Sequence, residues 1–258
     1  VVVPGVLQRP VAEVVHREQV GVHVLEACHR AVARRRHVDP RADRPVVVAF
    51  NKLTGETKWI SKSRWGASYA SPIAANFHGR ERLLVFAGGM SKPPEGGLLL
   101  IDPEDGKILS QFEWRASKYE SVNATTPIVL GNRVFITETY RLGGIALDVT
   151  EEDNFEEAWK APDFGIHWTM PIVHDGYLYG FHGEREPFAE LVCYDWKTGK
   201  KQCSSKGDMN KVLDIKFAPN DEKGTLKMVT CGKRHVKFWT VKGRNVKVKK
   251  GIFGSKGK

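Results

Sequence analysis

The sequence predicts an all-β protein, an incomplete β-propeller of four-stranded antiparallel blades, with a poorly ordered or helical segment at its start. Three observations predict it. A turn motif recurs in "VVAFNKLTGETKW" (47–59), "LLLIDPEDGKIL" (98–109), "GIALDVTEEDNFEEAW" (144–159) and "LVCYDWKTGKKQC" (191–203), which spaces Asn51, Asp102, Asp148 and Asp195 by 51, 46 and 47 residues. A second element keeps step with it: "SYASPIAAN" (68–76), "NATTPIVLGNRVFI" (123–136) and "HWTMPIVHDGYLYGF" (167–181) share a Pro-Ile step before a hairpin. The flanking residues alternate Val, Ile and aromatics with polar residues, a strand period that excludes helical solenoids. Four short strands in a repeat of roughly 47 residues match a propeller blade.

Taken in chain order, residues 1–44 differ in kind from the rest of the chain. They hold twelve Val and no Lys, Ser, Thr, Asn, Ile, Met or aromatic residue. A helix over about 11–36 is expected, because Val14, Val15, Val22 and Leu25 fall near one face, although Val is a mediocre helix former. Arg34-Arg35-Arg36 reads as its solvated end.

Residues 45–205 carry the repeats. In each, an apolar strand leads into an Asx-type turn closed by glycine: the Asn or Asp side chain accepts from the backbone ahead of it, and Gly55, Gly106 and Gly199 supply a positive φ. Residues 206–258 form a third region. In "NKVLDIKFAPNDEKGTLKMVTCGKRHVKFWTV" (210–241), Leu213, Ile215 and Phe217, then Met228 and Thr230, then Val236 and Phe238 keep an alternating pattern interrupted by polar turns. The net charge of +10 is concentrated here, with 15 Lys and Arg against four acids.

The "D-x-x-T-G-x-x-x-W" pattern, complete in "NKLTGETKW" apart from Asn51, resembles the tryptophan-docking motif of pyrroloquinoline-quinone-like repeat propellers over about residues 45–203. That resemblance implies that Trp59 and Trp159 dock between blades, with Leu109 and Cys203 in the same place in the other repeats. The family holds quinone-dependent dehydrogenases as well as cofactor-free scaffolds such as the bacterial outer-membrane assembly lipoprotein. The dehydrogenases it contains need a calcium site and usually a vicinal Cys pair, and no vicinal pair occurs here. The last region, with "CG…H-V-K-F-W" and "K-K-G-I-F-G", resembles one blade of the echinoderm microtubule-associated-protein-like family. The junction near Ser204 reads as a fusion of two repeat dialects.

The expected function is therefore non-enzymatic: a binding or scaffold protein with no cofactor and no metal. The alternatives are a quinoprotein-like oxidoreductase fragment that needs further blades, and a microtubule-associated WD-repeat protein. Ser68, Asn123 and His167 stand four residues before Pro72, Pro127 and Pro171, polar at one repeat position, and are candidates for a channel rim that binds a small polar ligand or peptide. Lys247, Lys249, Lys250, Lys256 and Lys258 form the candidate contact for an acidic partner such as tubulin, with nucleic acid also open to such a cluster. No membrane span is expected. Cys193 and Cys203 flank a tight turn and read as small core residues, the His residues lack metal spacing, and Asn123-Ala124-Thr125 is a glycosylation sequon.

Overall fold

A computed structural model describes residues 20–21, 43–119, 121–183, 189–208, 212–218 and 225–252. Their regular structure is all strand. β1 (Val20–Gly21), β2 (Arg44–Asn51) and β3 (Thr57–Ser63) make a three-stranded sheet. Four four-stranded sheets come after it, each taking its strands in sequence order. The second holds β4 (Ile73–Phe77), β5 (Arg80–Ala87), β6 (Gly97–Ile101) and β7 (Ile108–Glu113). The third holds β8 (Ile128–Leu130), β9 (Arg133–Glu138), β10 (Gly143–Val149) and β11 (Phe155–Ala161). The fourth holds β12 (Ile172–His174), β13 (Tyr177–His182), β14 (Glu190–Asp195) and β15 (Lys201–Lys206). The fifth holds β16 (Val212–Phe217), β17 (Thr225–Gly232), β18 (His235–Lys242) and β19 (Asn245–Lys250). Four antiparallel strands connected in order are the blade of a β-propeller, and the fold class read from the sequence is the one the structure has.

The chain divides into two compact units, Val1–Asn132 with Val149–Glu156, and Arg133–Asp148 with Glu157–Lys258. Within the segment expected to be helical, Val20 and Gly21 are strand and pair with Asn51 and Phe50. The rest of the expected helix, residues 11–19 and 22–36, lies outside the described residues.

Burial explains the sequence pattern. The two middle strands of a blade are covered on both faces, so they read as continuous apolar runs: Leu98, Leu99, Leu100 and Ile101 of β6 are fully buried, as are Leu84, Phe86 and Ala87 of β5. The outer strands β3, β7 and β15 alternate instead. In the first unit, Val46, Val47 and Trp65 pack against Leu83, Val85, Leu99 and Ile101. In the second, Tyr179, Phe181, Leu191 and Cys193 pack against Leu226, Met228, Trp239 and Val241.

The turns repeat in atomic detail. Asn51 Oδ1 accepts from Leu53 N at 2.9 Å, Asp102 Oδ1 from Glu104 N at 2.9 Å, and Asp195 Oδ1 from Thr198 N at 2.7 Å. Four residues on, Gly55, Gly106 and Gly199 donate back to the carbonyls of those same residues at 2.8, 3.0 and 2.9 Å, with φ of 74°, 77° and 68°. A bulge sits just ahead of each: between Ala49 and Phe50, Leu100 and Ile101, and Cys193 and Tyr194.

The bulges correct one alignment. Trp59 pairs with Ala49, Ser110 with Leu100 and Cys203 with Cys193. Ser110, rather than Leu109, therefore occupies the place of Trp59: Trp59, Ser110 and Cys203 each stand eight residues after their turn residue, and Leu109 falls at the bulge, where Lys58 and Gln202 stand in the other repeats.

The loosest repeat also departs from expectation. Asp148 caps no turn; its carboxylate receives Arg133 Nε and Nη2 at 2.7 and 2.8 Å. The turn is built two residues later, where Thr150 Oγ1 accepts from the amides of Glu152 and Asn154, each at 3.2 Å, and Asp153 takes the left-handed position at φ 63°. Aspartate tolerates that conformation better than most side chains, which explains the missing glycine.

Candidate functional site

Trp59 and Trp159 each lie against the glycine of a turn in another repeat. Trp59 lies on Gly106, where an added Cβ would come within 2.5 Å of Trp59 Cε3, and its Nε1 donates to the Pro103 carbonyl at 3.0 Å. Trp159 repeats the arrangement on Gly199, where a Cβ would meet Trp159 Cγ at 2.4 Å, and its Nε1 donates to Trp196 O at 3.0 Å. Glycine is required twice over at both positions, by φ and by contact. Gly55 has the same φ with open space around it. Trp159 also stacks on Tyr194, with centroids 6.3 Å apart, and Tyr194 stacks on Phe164 at 5.2 Å.

Arginine does part of this work. Arg82 Nε and Nη2 each reach an oxygen of the Asp153 carboxylate at 2.9 Å, and Arg80 adds a second cation at 3.2 Å. The bidentate bond raises the Arg82 pKa and, together with the cations, holds the Asp153 carboxyl below the usual carboxylate range. Arg133 Nη1 donates to the Trp196 and Lys197 carbonyls, both at 2.8 Å. Sequence reasoning missed these arginines, which sit at the starts of β5 and β9 and contact residues far along the chain.

Two of the three rim candidates lie in the first unit. The Ser68 hydroxyl donates to the Phe86 carbonyl and accepts from Ala70 N at 3.2 Å. Asn123 is 0% exposed; its Nδ2 donates to Ala87 O at 2.7 Å and Trp114 O at 3.3 Å, and its carbonyl accepts from Tyr69 N at 3.2 Å. Ser68 and Asn123 are thus brought to one neighbourhood, where their polar groups hold loop backbone. Burial of Asn123 also closes the sequon to glycan transfer in the folded chain. His167, in the second unit, lies 3.0 Å from the Tyr140 hydroxyl through Nε2 and stacks on the exposed Trp168 at 4.5 Å. Tyr140 and Arg141 both have positive φ, 62° and 67°, in the turn that presents Tyr140. Among the described residues, no group of three or more His, Cys, Asp or Glu side chains is placed to hold a metal ion.

The fifth sheet has two unlike faces. On one, Trp239 is buried and its Nε1 donates to Thr230 Oγ1 at 2.8 Å. Lys237 on that face reaches Asp208 at 3.0 Å and the Gly207 carbonyl at 2.6 Å. On the other, Phe238 stands between Val229 and Lys249 across the strands, while Lys247 faces Thr240 and Lys242 faces Asn245. Phe238 is 53% exposed, and Lys242, Lys247, Lys249 and Lys250 are exposed as well. Among the described residues β19 pairs with β18 alone. Lys256 and Lys258 lie outside the described residues.

Residues 12–204 match the family model described as outer membrane protein assembly factor BamB. The chain belongs to that family. The BamB-family chain has the same fold as europium-containing methanol dehydrogenase, with a TM-score of 0.56 at 11% identity over 82% of this chain and 49% of that one. It is also 41% identical over 97 residues to echinoderm microtubule-associated protein-like 4 of Xenopus laevis, covering 38% of this chain and 9% of that protein. The Mus musculus protein of that name is 37% identical over 136 residues, 53% of this chain and 11% of its own length. The chain thus spans about a tenth of the length of the curated relatives it matches. A match of 136 residues exceeds the 53 residues from 206 to 258, so the likeness extends upstream of residue 206. No helix of the described residues is long and apolar enough to cross a membrane.

Proposed function

We propose that the chain is a non-enzymatic β-propeller scaffold whose fifth sheet binds an acidic protein surface. The observation that carries this reading is the open face around Phe238, an exposed ring with Lys249 opposite it and Lys247 and Lys242 further along the same face, on a sheet whose other face buries Met228, Trp239 and Val241. An exposed aromatic rimmed by like charges suits a partner that supplies an apolar pocket within an acidic surround. Lysines on an edge strand also deter strand-to-strand aggregation, which fits a face kept open for a specific partner. The description of the matched family names an assembly factor, and the curated relatives are named as microtubule-associated; both support a protein partner, with tubulin the first to test. Lys250, Lys256 and Lys258 extend the same positive charge along the chain. Of the rim candidates, His167, stacked on the exposed Trp168 with Tyr140 edge-on to it, is the position at which a small polar ligand would bind, because Ser68 and Asn123 spend their polar groups on loop backbone.

Co-sedimentation with microtubules tests the reading across a salt series, since surface attraction weakens as the Debye length falls from about 10 Å at 0.1 M towards 3 Å at 1 M. Wild-type chain should pellet at low salt, and Phe238→Ala with Lys249→Glu should not. Equal pelleting of wild type and variant overturns the assignment of this face. Loss of wild-type pelleting on adding a nucleic-acid competitor transfers the face to nucleic acid.

A further inference from the structure

Tyr179, Cys193 and Cys203 form a row across β13, β14 and β15: Tyr179 pairs with Cys193, and Cys193 with Cys203. Directly opposed residues on antiparallel strands have Cα atoms about 4.5 to 5.5 Å apart, inside the span of about 4.4 to 6.8 Å that a disulfide bridges. Their side chains share one face, in contact with the cluster that includes Met228 and Trp239. The two cysteines are thus cross-strand neighbours, with Tyr179 next to Cys193 on the same row. Exposure separates their roles, for Cys193 is 3% exposed and Cys203 is half-buried. We propose that Cys193 and Cys203 are a dithiol that a small-molecule disulfide of the glutathione class oxidises to a cross-strand disulfide, with Cys203 as the attacking and Cys193 as the resolving thiol.

The step balances as thiol–disulfide exchange. Cys203 Sγ, as thiolate, attacks one sulfur of oxidised glutathione; that S–S bond breaks and the departing glutathione thiolate takes up a proton. Cys193 then loses its proton and attacks Cys203 Sγ in the mixed disulfide, releasing the second glutathione as a thiol. Two protein thiols are oxidised and one small disulfide is reduced to two thiols. The pairing favours this order: the neighbouring Cys193 thiol holds the Cys203 pKa below the ordinary thiol value, while the neighbouring Cys203 and burial push that of Cys193 up. The bulge between Cys193 and Tyr194 gives this part of the hairpin an irregular register that the cross-link would fix.

Peptide mapping of the full chain tests the inference. The folded protein is incubated with oxidised glutathione, then unfolded in guanidinium chloride, alkylated and digested without reductant. The expected result is a peptide pair joined through Cys193 and Cys203, two hydrogens lighter than the separate peptides, with alkylation of both thiols falling together by about tenfold or more and restored by dithiothreitol. Cys203→Ser should leave Cys193 fully alkylated after the same treatment; if that variant fails to fold, the wild-type map alone decides. Full alkylation of both thiols after oxidation overturns the inference, as does a stable glutathione adduct on Cys203 beside a free Cys193.

Discussion

The indole of Trp59 rests on the α-carbon of Gly106, 47 residues further along the chain, and its Nε1 donates to the carbonyl of Pro103. One glycine thus serves its own turn and forms the seat for a ring from the preceding sheet.

Replacing Gly106 and Gly55 by alanine separates these duties. Both have positive φ, so each change costs about 1 kcal/mol for the left-handed conformation. Only at Gly106 does the new methyl meet a ring, at 2.5 Å. Gly106→Ala should lose at least about 1 kcal/mol more than Gly55→Ala in urea denaturation, an excess that should shrink in a Trp59→Ala background.

Trp59→Ala itself should destabilise by about 2 to 3 kcal/mol, at the low end for a buried ring because Trp59 is half-buried. A loss under about 1 kcal/mol in chemical denaturation argues against docking.

The Arg82–Asp153 pair sets an acid limb. Because the Asp153 pKa is lowered on folding, chiefly by the hydrogen bond from Arg82, the pair contributes fully above the unfolded carboxyl value near 4 and fades as pH falls through the folded value. Melting temperatures should fall below about pH 4, and Asp153→Asn should flatten that decline while costing about 2 kcal/mol at pH 7. Parallel curves for wild type and variant remove Asp153 from the acid response.

Thr230→Val should strand the indole N–H of Trp239, which is 1% exposed, at a cost of about 1 to 3 kcal/mol. Thr240→Val on the opposite face should change stability by less than about 0.5 kcal/mol in the same denaturation series.

Much of the blade is local and therefore legible in the sequence. An Asx turn closes within four residues, so Asn51 with Gly55, Asp102 with Gly106 and Asp195 with Gly199 are visible as text, and so is the two-residue alternation of the outer strands. The fully apolar runs of β5 and β6 obey the same logic once four strands per repeat are inferred. Trp59 and Trp159 stand out through a motif; composition alone would not have picked them out.

The blade, then, is written in neighbouring residues: its turn chemistry and strand period act over a few positions, where side chain and backbone are held together by covalent connection. Everything that rests on partners far apart in the chain emerged only with packing. Packing moved the third turn to Thr150 and Asp153 and buried Asn123 among distant carbonyls. It also set Arg82 on Asp153, and left Phe238 uncovered while burying Trp239 beside it. Adjacent residues on a strand point to opposite faces, and which face meets another sheet depends on how the sheets pack, which no local pattern of residues specifies.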